Sequence, residues 1–489
     1  MNNLRISALL LAACAFAAAK DDRPAKAKPG EDWPMFGGTP ERNMVNLAAR
    51  NIPTQWKVEK PAQNVRWSAQ LGDRAYAGPV IAGGQVYVGT NNRSPRDPKV
   101  KGPRGVLMCF RESDGKFLWQ LAHAMPGPEV AREALNDGLC STPVVDGDRL
   151  YYVTPACEVV CASTDGKVVW SYDIMKKLKV VPCYLGTCSP LVAGDLLFVV
   201  TGNGTDAQYT LVSPDAPSFV AFSKKDGKPV WQNNAPGPRI LEGQFSNPAY
   251  GVTGGKPQVV FPGGDGWLYA FEPKTGKPLW KFDCNLKDAV WKGHKGTRNL
   301  IIATPVIHDG KVYVGTGLYP DHPRGNSGEG HFWCVDMTKT GDVSSQLAGG
   351  GKIKPNPNSA LVWHFGGAVR PRPETGREVV LGQTISTCAV KDGLCYLAEY
   401  PGYLHCLDAR TGKQYWEHDL KSGVWGSPCW IDGKVYLGDE DGDVLIFAAG
   451  KQKKLISQVE VGESVLSTPV AAGGTLFVQT KSKLYAIKK

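Results

Sequence analysis

Cysteine is the residue type in this chain with the most chemistry to offer. There are 13, and 12 remain if Cys14 is cleaved away or lipidated, an even number that would suit disulfide pairing in an exported protein. Cys183 and Cys188, in VPCYLGTCSPL, flank a short loop that could let them bridge, and they form the candidate disulfide against the alternative of two free thiols. Cys395 and Cys406 lie on successive strands around the turn at Pro401-Gly402. They face each other only if the register does not slip by a residue. Cys109, Cys334 and Cys406 fall at the small-residue position that Ala270 fills in GWLYAFEP, so each reads as a small buried apolar side chain.

A second group is polar and stands just ahead of recurring Ser/Thr-Pro strings. Arg74 with Tyr76, Asp137, Thr187, Glu242 with Gln244 and Asn247, Arg298 with Asn299, Gln383, and Trp425 all sit there. If those strings open the inner strands of a radial repeat, their loops converge on one axial rim, the expected ligand site. Arg298, Glu242 and Asn247 would then offer groups for a carboxylate, a metal and a carbonyl. The alternative is a solvated rim that satisfies its own loops. A third group, from Asp321-His322 to Glu329-Gly330-His331, matches no metal-site spacing and reads as a Gly-rich hairpin loop, so no metal ligand is assigned.

Other chemistries lack their signatures. Walker loop, G-x-S-x-G elbow, H-E-x-x-H and C-x-x-C-H are all absent. The net charge of +10 invites a nucleic-acid reading. The basic residues, however, are scattered through turn positions rather than gathered into a patch, so no nucleic-acid partner is expected.

The elements that must position these residues come from a repeat. GKFLW ends at Trp119, GKVVW at Trp170, GKPVW at Trp231, GKPLW at Trp280 and GKQYW at Trp416. The residue that opens each unit is Pro79, Pro143, Pro190, Pro248, Pro305, Cys388, Pro428 or Pro469, which makes eight units. Each carries four β-prone runs separated by Asp-Gly, Thr-Gly or Gly-Gly turns, a four-stranded meander that must stack on its neighbours. The reading is all-β: an eight-bladed propeller of four-stranded antiparallel blades. The last unit ends at its third strand, LYAIKK, and Asn64-Val65-Arg66-Trp67 is the fourth strand that closes the ring.

The outer-strand tryptophans Trp67, Trp119, Trp170, Trp231, Trp280, Trp363 and Trp416 are expected to dock one blade on the next, each N–H finding a backbone partner. Unit seven, with GKQKKLISQ and no tryptophan, and unit five, with GDVSSQLAGGGKIKPNPNS delaying Trp363, should be irregular. The insertion reads as a surface loop.

Arg5, the apolar run Ile6 to Ala13 and Ala17-Ala18-Ala19 read as a signal peptide over residues 1–19, and Leu11-Ala12-Ala13-Cys14 resembles a lipoprotein processing box. Residues 20–32 read as a flexible linker and 33–489 as one propeller domain in the periplasm or cell envelope, a monomer touching membrane only through a lipid anchor at Cys14.

The repeat and its G-K-x-x-W motif resemble the pyrroloquinoline-quinone repeat of quinoprotein alcohol dehydrogenases and of propeller scaffolds, and DWPMFGGTPERNMVN is similar to their opening segment. The dehydrogenase resemblance implies an axial quinone, a metal ion, a catalytic aspartate and in many members a Cys-Cys disulfide. This chain has no Cys-Cys pair, and Gly263 stands where the aspartate would be in Gly263-Gly264-Asp265-Gly266. The chain also resembles the propeller lipoprotein of the outer-membrane protein assembly machinery, which has no catalytic site and implies envelope protein partners. The resulting expectation is a non-catalytic binding or interaction scaffold without cofactor or catalytic residue. The alternative is a divergent dehydrogenase that oxidises alcohols or sugars with pyrroloquinoline quinone and calcium.

Overall fold

The structure is a computed structural model that describes residues 31–127, 132–206, 208–292, 296–317, 329–367 and 379–489. The stretch read as a signal peptide, Cys14, most of the stretch read as a linker, Asp321 and His322 lie outside these residues.

Eight antiparallel four-stranded meanders form the ring. Blades 1 to 7 span residues 80–124, 144–173, 191–233, 249–283, 306–366, 389–419 and 429–460. Blade 8 takes three strands from 470–487 and its fourth from Val65–Gln70, which pairs antiparallel with Lys483–Ile487, Trp67 opposite Ala486. The chain thus closes on itself as expected, and no blade is left a strand short. The first strands are innermost, neighbour touching neighbour around the axis.

The repeated Gly-Lys-x-x-Trp string is two halves of one joint. Each indole lies under the turn glycine of the following blade: Trp67 under Gly115, Trp119 under Gly166, Trp170 under Gly227, Trp231 under Gly276 and Trp363 under Gly412. A Cβ on any of these glycines would stand 2.5–2.6 Å from the ring, and each has φ between 68° and 85°. Glycine is therefore required both for backbone conformation and for space. The indole N–H groups of Trp67, Trp119, Trp170, Trp231, Trp363 and Trp416 donate to carbonyls of Glu112, Thr164, Lys224, Pro273, Ala409 and Gly450. Opposite each tryptophan on the third strand stands a small residue, Cys109 facing Trp119, Cys334 facing Trp363 and Cys406 facing Trp416.

Blades 5 and 7 are the irregular ones. The blade 5 insertion is more ordered than a surface loop. Gly341–Asp342 adds a parallel strand outside blade 4, and Gln346–Gly349 pairs with Lys352–Pro355 in a hairpin. Because the insertion removes the usual turn, Trp280 donates instead to Gln258 Oε1 (2.7 Å), whose Nε2 reaches Met337 O of blade 5 (3.0 Å). In blade 7, Ser457 takes the tryptophan's register position and donates to Thr54 O, while Trp56 is buried in the same core.

Residues 32–46 form a strap that runs round the axis and bonds every blade at or beside its inner strand. Trp33 pairs with Ile81, while Pro34, Pro40 and Glu41 accept from Val145, Tyr250 and Ile307. Asn43 and Met44 bond Val390, Cys388 and Trp430, and Asn46 Nδ2 donates to Ala471 O. Blade 3 is held by Arg42, whose buried guanidinium donates to Ser189 O and Pro190 O, and also to Phe36 O and Pro248 O, each at 2.9 Å. Glu31 and Asp32, within the stretch read as linker, already bond Gly473 and Gly83.

Two expectations follow. Gly227→Ala should cost about 3 kcal/mol in chemical denaturation, since strain and overpacking coincide, whereas Gly194→Ala, with φ 59° and open space, should cost about 1 kcal/mol. Deleting the segment through Trp67 should lower the melting temperature and promote association, read by calorimetry and light scattering.

Candidate axial site

The axis holds a cavity of about 860 Å³ whose walls are layered by the alternation of the strand leads. The residue before each opening proline, or before Cys388, points inward: Gly78, Thr142, Ser189, Asn247, Thr304, Thr387, Ser427 and Thr468. These form a hydrogen-bonded belt. Gly78 N donates to Thr142 Oγ1, Thr142 N to Ser189 Oγ, Ser189 N to Asn247 Oδ1, Asn247 Nδ2 to Thr304 Oγ1, Thr304 N to Thr387 Oγ1, Thr387 N to Ser427 Oγ, and Ser427 N to Thr468 Oγ1. The belt has no side-chain acceptor between blades 8 and 1, where Gly78 has no side chain. Sequence reading used the Ser/Thr-Pro string as a marker and missed this role, although the recurrence of an oxygen-bearing side chain before the proline was its signal.

Two residues earlier in each blade comes a second ring: Tyr76, Cys140, Thr187, Phe245, Ile302, Ile385, Trp425 and Leu466. Trp33, Phe36, Gly37 and Met44 of the strap make the floor. Among the described residues, charge is confined to one side of the mouth, where Asp137, Asp206 and Glu242 line the wall. Asp137 is buried, pairs with Arg74 at 2.8 Å and accepts from Tyr184 OH at 2.9 Å. Burial and the nearby Glu242 carboxylate push the Cys183 thiol up to about 11, so it stays a thiol at neutral pH.

Of the eleven rim candidates, Tyr76, Asp137, Thr187, Glu242, Asn247 and Trp425 face this cavity, and Arg74 is drawn to Asp137. Trp425 donates to Glu440 and packs on Tyr76 and Tyr400. Asn247 is committed to the belt. The other four are drawn into seams between loops. Arg298 pairs with the buried Asp283 at 3.0 Å, Asn299 donates to Glu329 O, Gln244 to Asn203 O, and Gln383 Nε2 approaches Asn299 Oδ1 at 3.4 Å. The expected trio of Arg298, Glu242 and Asn247 does not converge, because Arg298 finds a carboxylate within its own loop cluster.

The cysteine pairs also differ from expectation. Cys183 and Cys188 are free thiols: Cys183 Sγ lies 3.6 Å from Thr205 Oγ1 at the mouth, while Cys188 is buried in the blade core with its Sγ accepting from Val200 N. The register sets Tyr396, not Cys395, opposite Cys406. The pair therefore occupies opposite faces of blade 6 and different cores.

His331, from the third sequence cluster, is hydrogen-bonded through Nδ1 to His364 Nε2 at 2.9 Å, with Glu329 3.7 Å from its Nε2 and Trp333 stacked on His364. Among the described residues no group of three potential ligands could hold a metal ion. Burial depresses His331 to about 4 and His364 to about 3.

The comparisons with known proteins bear on what the cavity serves. A family model described as "Outer membrane protein assembly factor BamB" matches residues 103–319 and 349–489. An outer membrane protein assembly factor BamB of Burkholderia pseudomallei is 22% identical over 88% of this chain and 90% of its own. A 1-butanol dehydrogenase (quinone) of Thauera butanivorans is 27% identical over 42% of this chain, which spans about a third of that relative's length (34%). Among solved structures, a quinohemoprotein alcohol dehydrogenase of Pseudomonas putida HK5 superposes with a TM-score of 0.59 at 14% identity, covering 94% of this chain and 80% of that one.

Pyrroloquinoline quinone is a tricarboxylate, and the cavity does not fit it. Its described lining carries three carboxylates and no Lys, Arg or His. Asp265, beside Gly263, does not line the cavity. It is buried against Tyr269 OH (2.6 Å) and Arg239 (3.2 Å), and burial raises it to about 6.

The histidine pair gives a pH expectation. Both are held neutral in the fold, whereas unfolded histidine protonates near 6.5. Their share of stability is present above about pH 6.5 and lost as pH falls toward about 4. Unfolding free energy should drop by about 4 kcal/mol between pH 7 and 5 from this pair, and His364→Gln should flatten that slope in urea titrations.

Proposed function

The chain belongs to this family of repeat propellers, and on that premise we propose that it is a non-catalytic interaction scaffold of the cell envelope, exported and monomeric, holding protein partners of the outer-membrane protein assembly kind. Its outer strands carry the reading. Val168 and Val169 of blade 2, Val230 of blade 3, Leu361 and Val362 of blade 5, and Leu455 and Ile456 of blade 7 are exposed apolar side chains just before the tryptophan position. They stand on strands that end their sheets, whereas the blade 4 edge is covered by Gly341–Asp342. Apolar edge strands offer both backbone hydrogen bonds and side-chain contacts to an added strand.

The dehydrogenase alternative is supported by the partial similarity to the quinone-dependent butanol dehydrogenase. The carboxylate-lined cavity and Gly263 argue against it, since the first repels a tricarboxylate and the second has no side chain to accept a proton.

Photo-crosslinkers placed at Val169, Val230, Val362 and Ile456 should capture envelope assembly proteins. With the crosslinker kept at Val169, Val168→Lys should abolish the blade 2 adduct while leaving the melting temperature within about 2 °C. Titration with pyrroloquinoline quinone and calcium should give neither tryptophan quenching nor dye reduction with alcohols or sugars. Saturable binding with turnover would replace the scaffold by an enzyme.

A further inference from the structure

We propose that the joint between blades 8 and 1 is a binding notch that receives the carbonyl oxygen of a small molecule. Alternate blades set the rule that this joint breaks. Ser141, Ser246 and Ser386 each precede their belt residue and donate across the joint to Cys188 O, Ala303 O and Gly426 O of the following blade, at 2.7, 2.8 and 2.7 Å. Ser467 holds the same position in blade 8, and by this rule its acceptor is Ala77 O of blade 1. That carbonyl is already occupied, because Gln479 Nε2 donates to Ala75 O at 3.0 Å and to Ala77 O at 2.9 Å. Ser467, only 3% exposed, is left with an unpartnered hydroxyl. It lines the axial cavity, whereas its three counterparts do not. A buried hydroxyl without a partner is destabilising. Its place in a cavity wall points to an acceptor that enters from the cavity.

The belt fails at the same joint. The N–H groups of Gly78, Thr142, Ser189, Thr304, Thr387 and Ser427 each donate to a side-chain oxygen of the following blade. Thr468 N has no such oxygen ahead of it, because the next belt position is Gly78. A Cβ on Gly78 would meet nothing within 4 Å, so the missing side chain leaves open space. Nor does the backbone demand glycine there, since Gly78 is not in the left-handed region. Pro79 and Val470 join the lining at this joint, and among the described residues no other opening proline does so. In the ring above, Tyr76 of blade 1 meets Trp425 of blade 7 across blade 8, with centroids 5.5 Å apart. The notch therefore sets the Ser467 hydroxyl, with the Thr468 N–H beside it, between apolar walls. Two donors facing one open space suit the two lone pairs of a carbonyl oxygen.

The test uses 6-propionyl-2-(dimethylamino)naphthalene, a ketone whose emission moves to the red when its carbonyl accepts a hydrogen bond. N,N-dimethyl-2-naphthylamine, with the same ring and amine but no carbonyl, is the control. Titrated into the full chain, the ketone should saturate at one site and bind at least about tenfold more tightly than the control. Ser467→Ala should weaken the ketone about tenfold and move its bound emission to the blue, with the melting temperature kept or raised because no bond within the protein is lost. Ser141→Ala breaks a bond across its joint, so it should lower the melting temperature and leave the ketone's affinity unchanged. Gly78→Val fills the open space and should weaken the ketone by about tenfold or more in folded protein. No saturable binding of the ketone, equal binding of the two compounds, or affinity and emission that survive both Ser467→Ala and Gly78→Val would overturn the proposal. The outer strands take no part in these readouts, so scaffold and notch succeed or fail separately.

Discussion

A buried positive charge holds the centre of this molecule. Among the described residues Arg42 has no carboxylate within reach; its guanidinium is met by four carbonyl oxygens, two on blade 3, one on blade 4 and one on its own strap. Burial lowers it only to about 10, so it stays protonated at neutral pH. A planar fork can satisfy four dipoles spread around it, which a lysine's compact ammonium cannot. The backbone at Arg42 has φ 61°, and a Cβ on Gly37 would stand 2.6 Å from the Arg42 backbone, so only glycine lets the strap fold back against it there. Arg42 thereby ties blades 3 and 4 to the strap that floors the cavity.

The strap also explains why one chain can run a ring of similar units without ambiguity. Every blade gives a backbone or side-chain bond to a different strap residue, in chain order from Trp33 for blade 1 to Asn46 for blade 8, with Arg42 covering blade 3 out of turn. The same segment then passes blade 7, where Thr54 and Trp56 occupy the joint that lacks a repeat tryptophan, and ends as the outer strand of blade 8. Floor, seam filler and closing strand are one continuous stretch.

Fold and ring closure were legible because the repeat records a joint rather than a single residue's preference: the glycine of one blade and the tryptophan of the blade before it constrain each other, so both persist at fixed spacing. The opening prolines mark the inner strands for a similar reason. Side-chain direction in the rim loops was much less legible. Arg298 and Asn299 precede an inner strand as Glu242 and Asn247 do, yet Asp283, Asn285 and Glu329, 14 to 30 residues away in neighbouring loops, draw them out of the axis. Spacing carries no record of which loop offers the nearer partner. Cys395 and Cys406 show the same limit at finer grain, since one residue of register decides whether two thiols meet or point into separate cores.

The propeller's two faces are unequal in a way that bears on its bearing in space. The cavity opens among the loops that lead into the first strands, while Glu31 and Asp32 sit at the opposite face, beside the first hairpin turns of blades 8 and 1 at Gly473 and Gly83. The chain therefore enters the propeller at the base that the strap closes. The hollow opens on the other face, like a bowl above its foot, and whatever reaches it must arrive from that side.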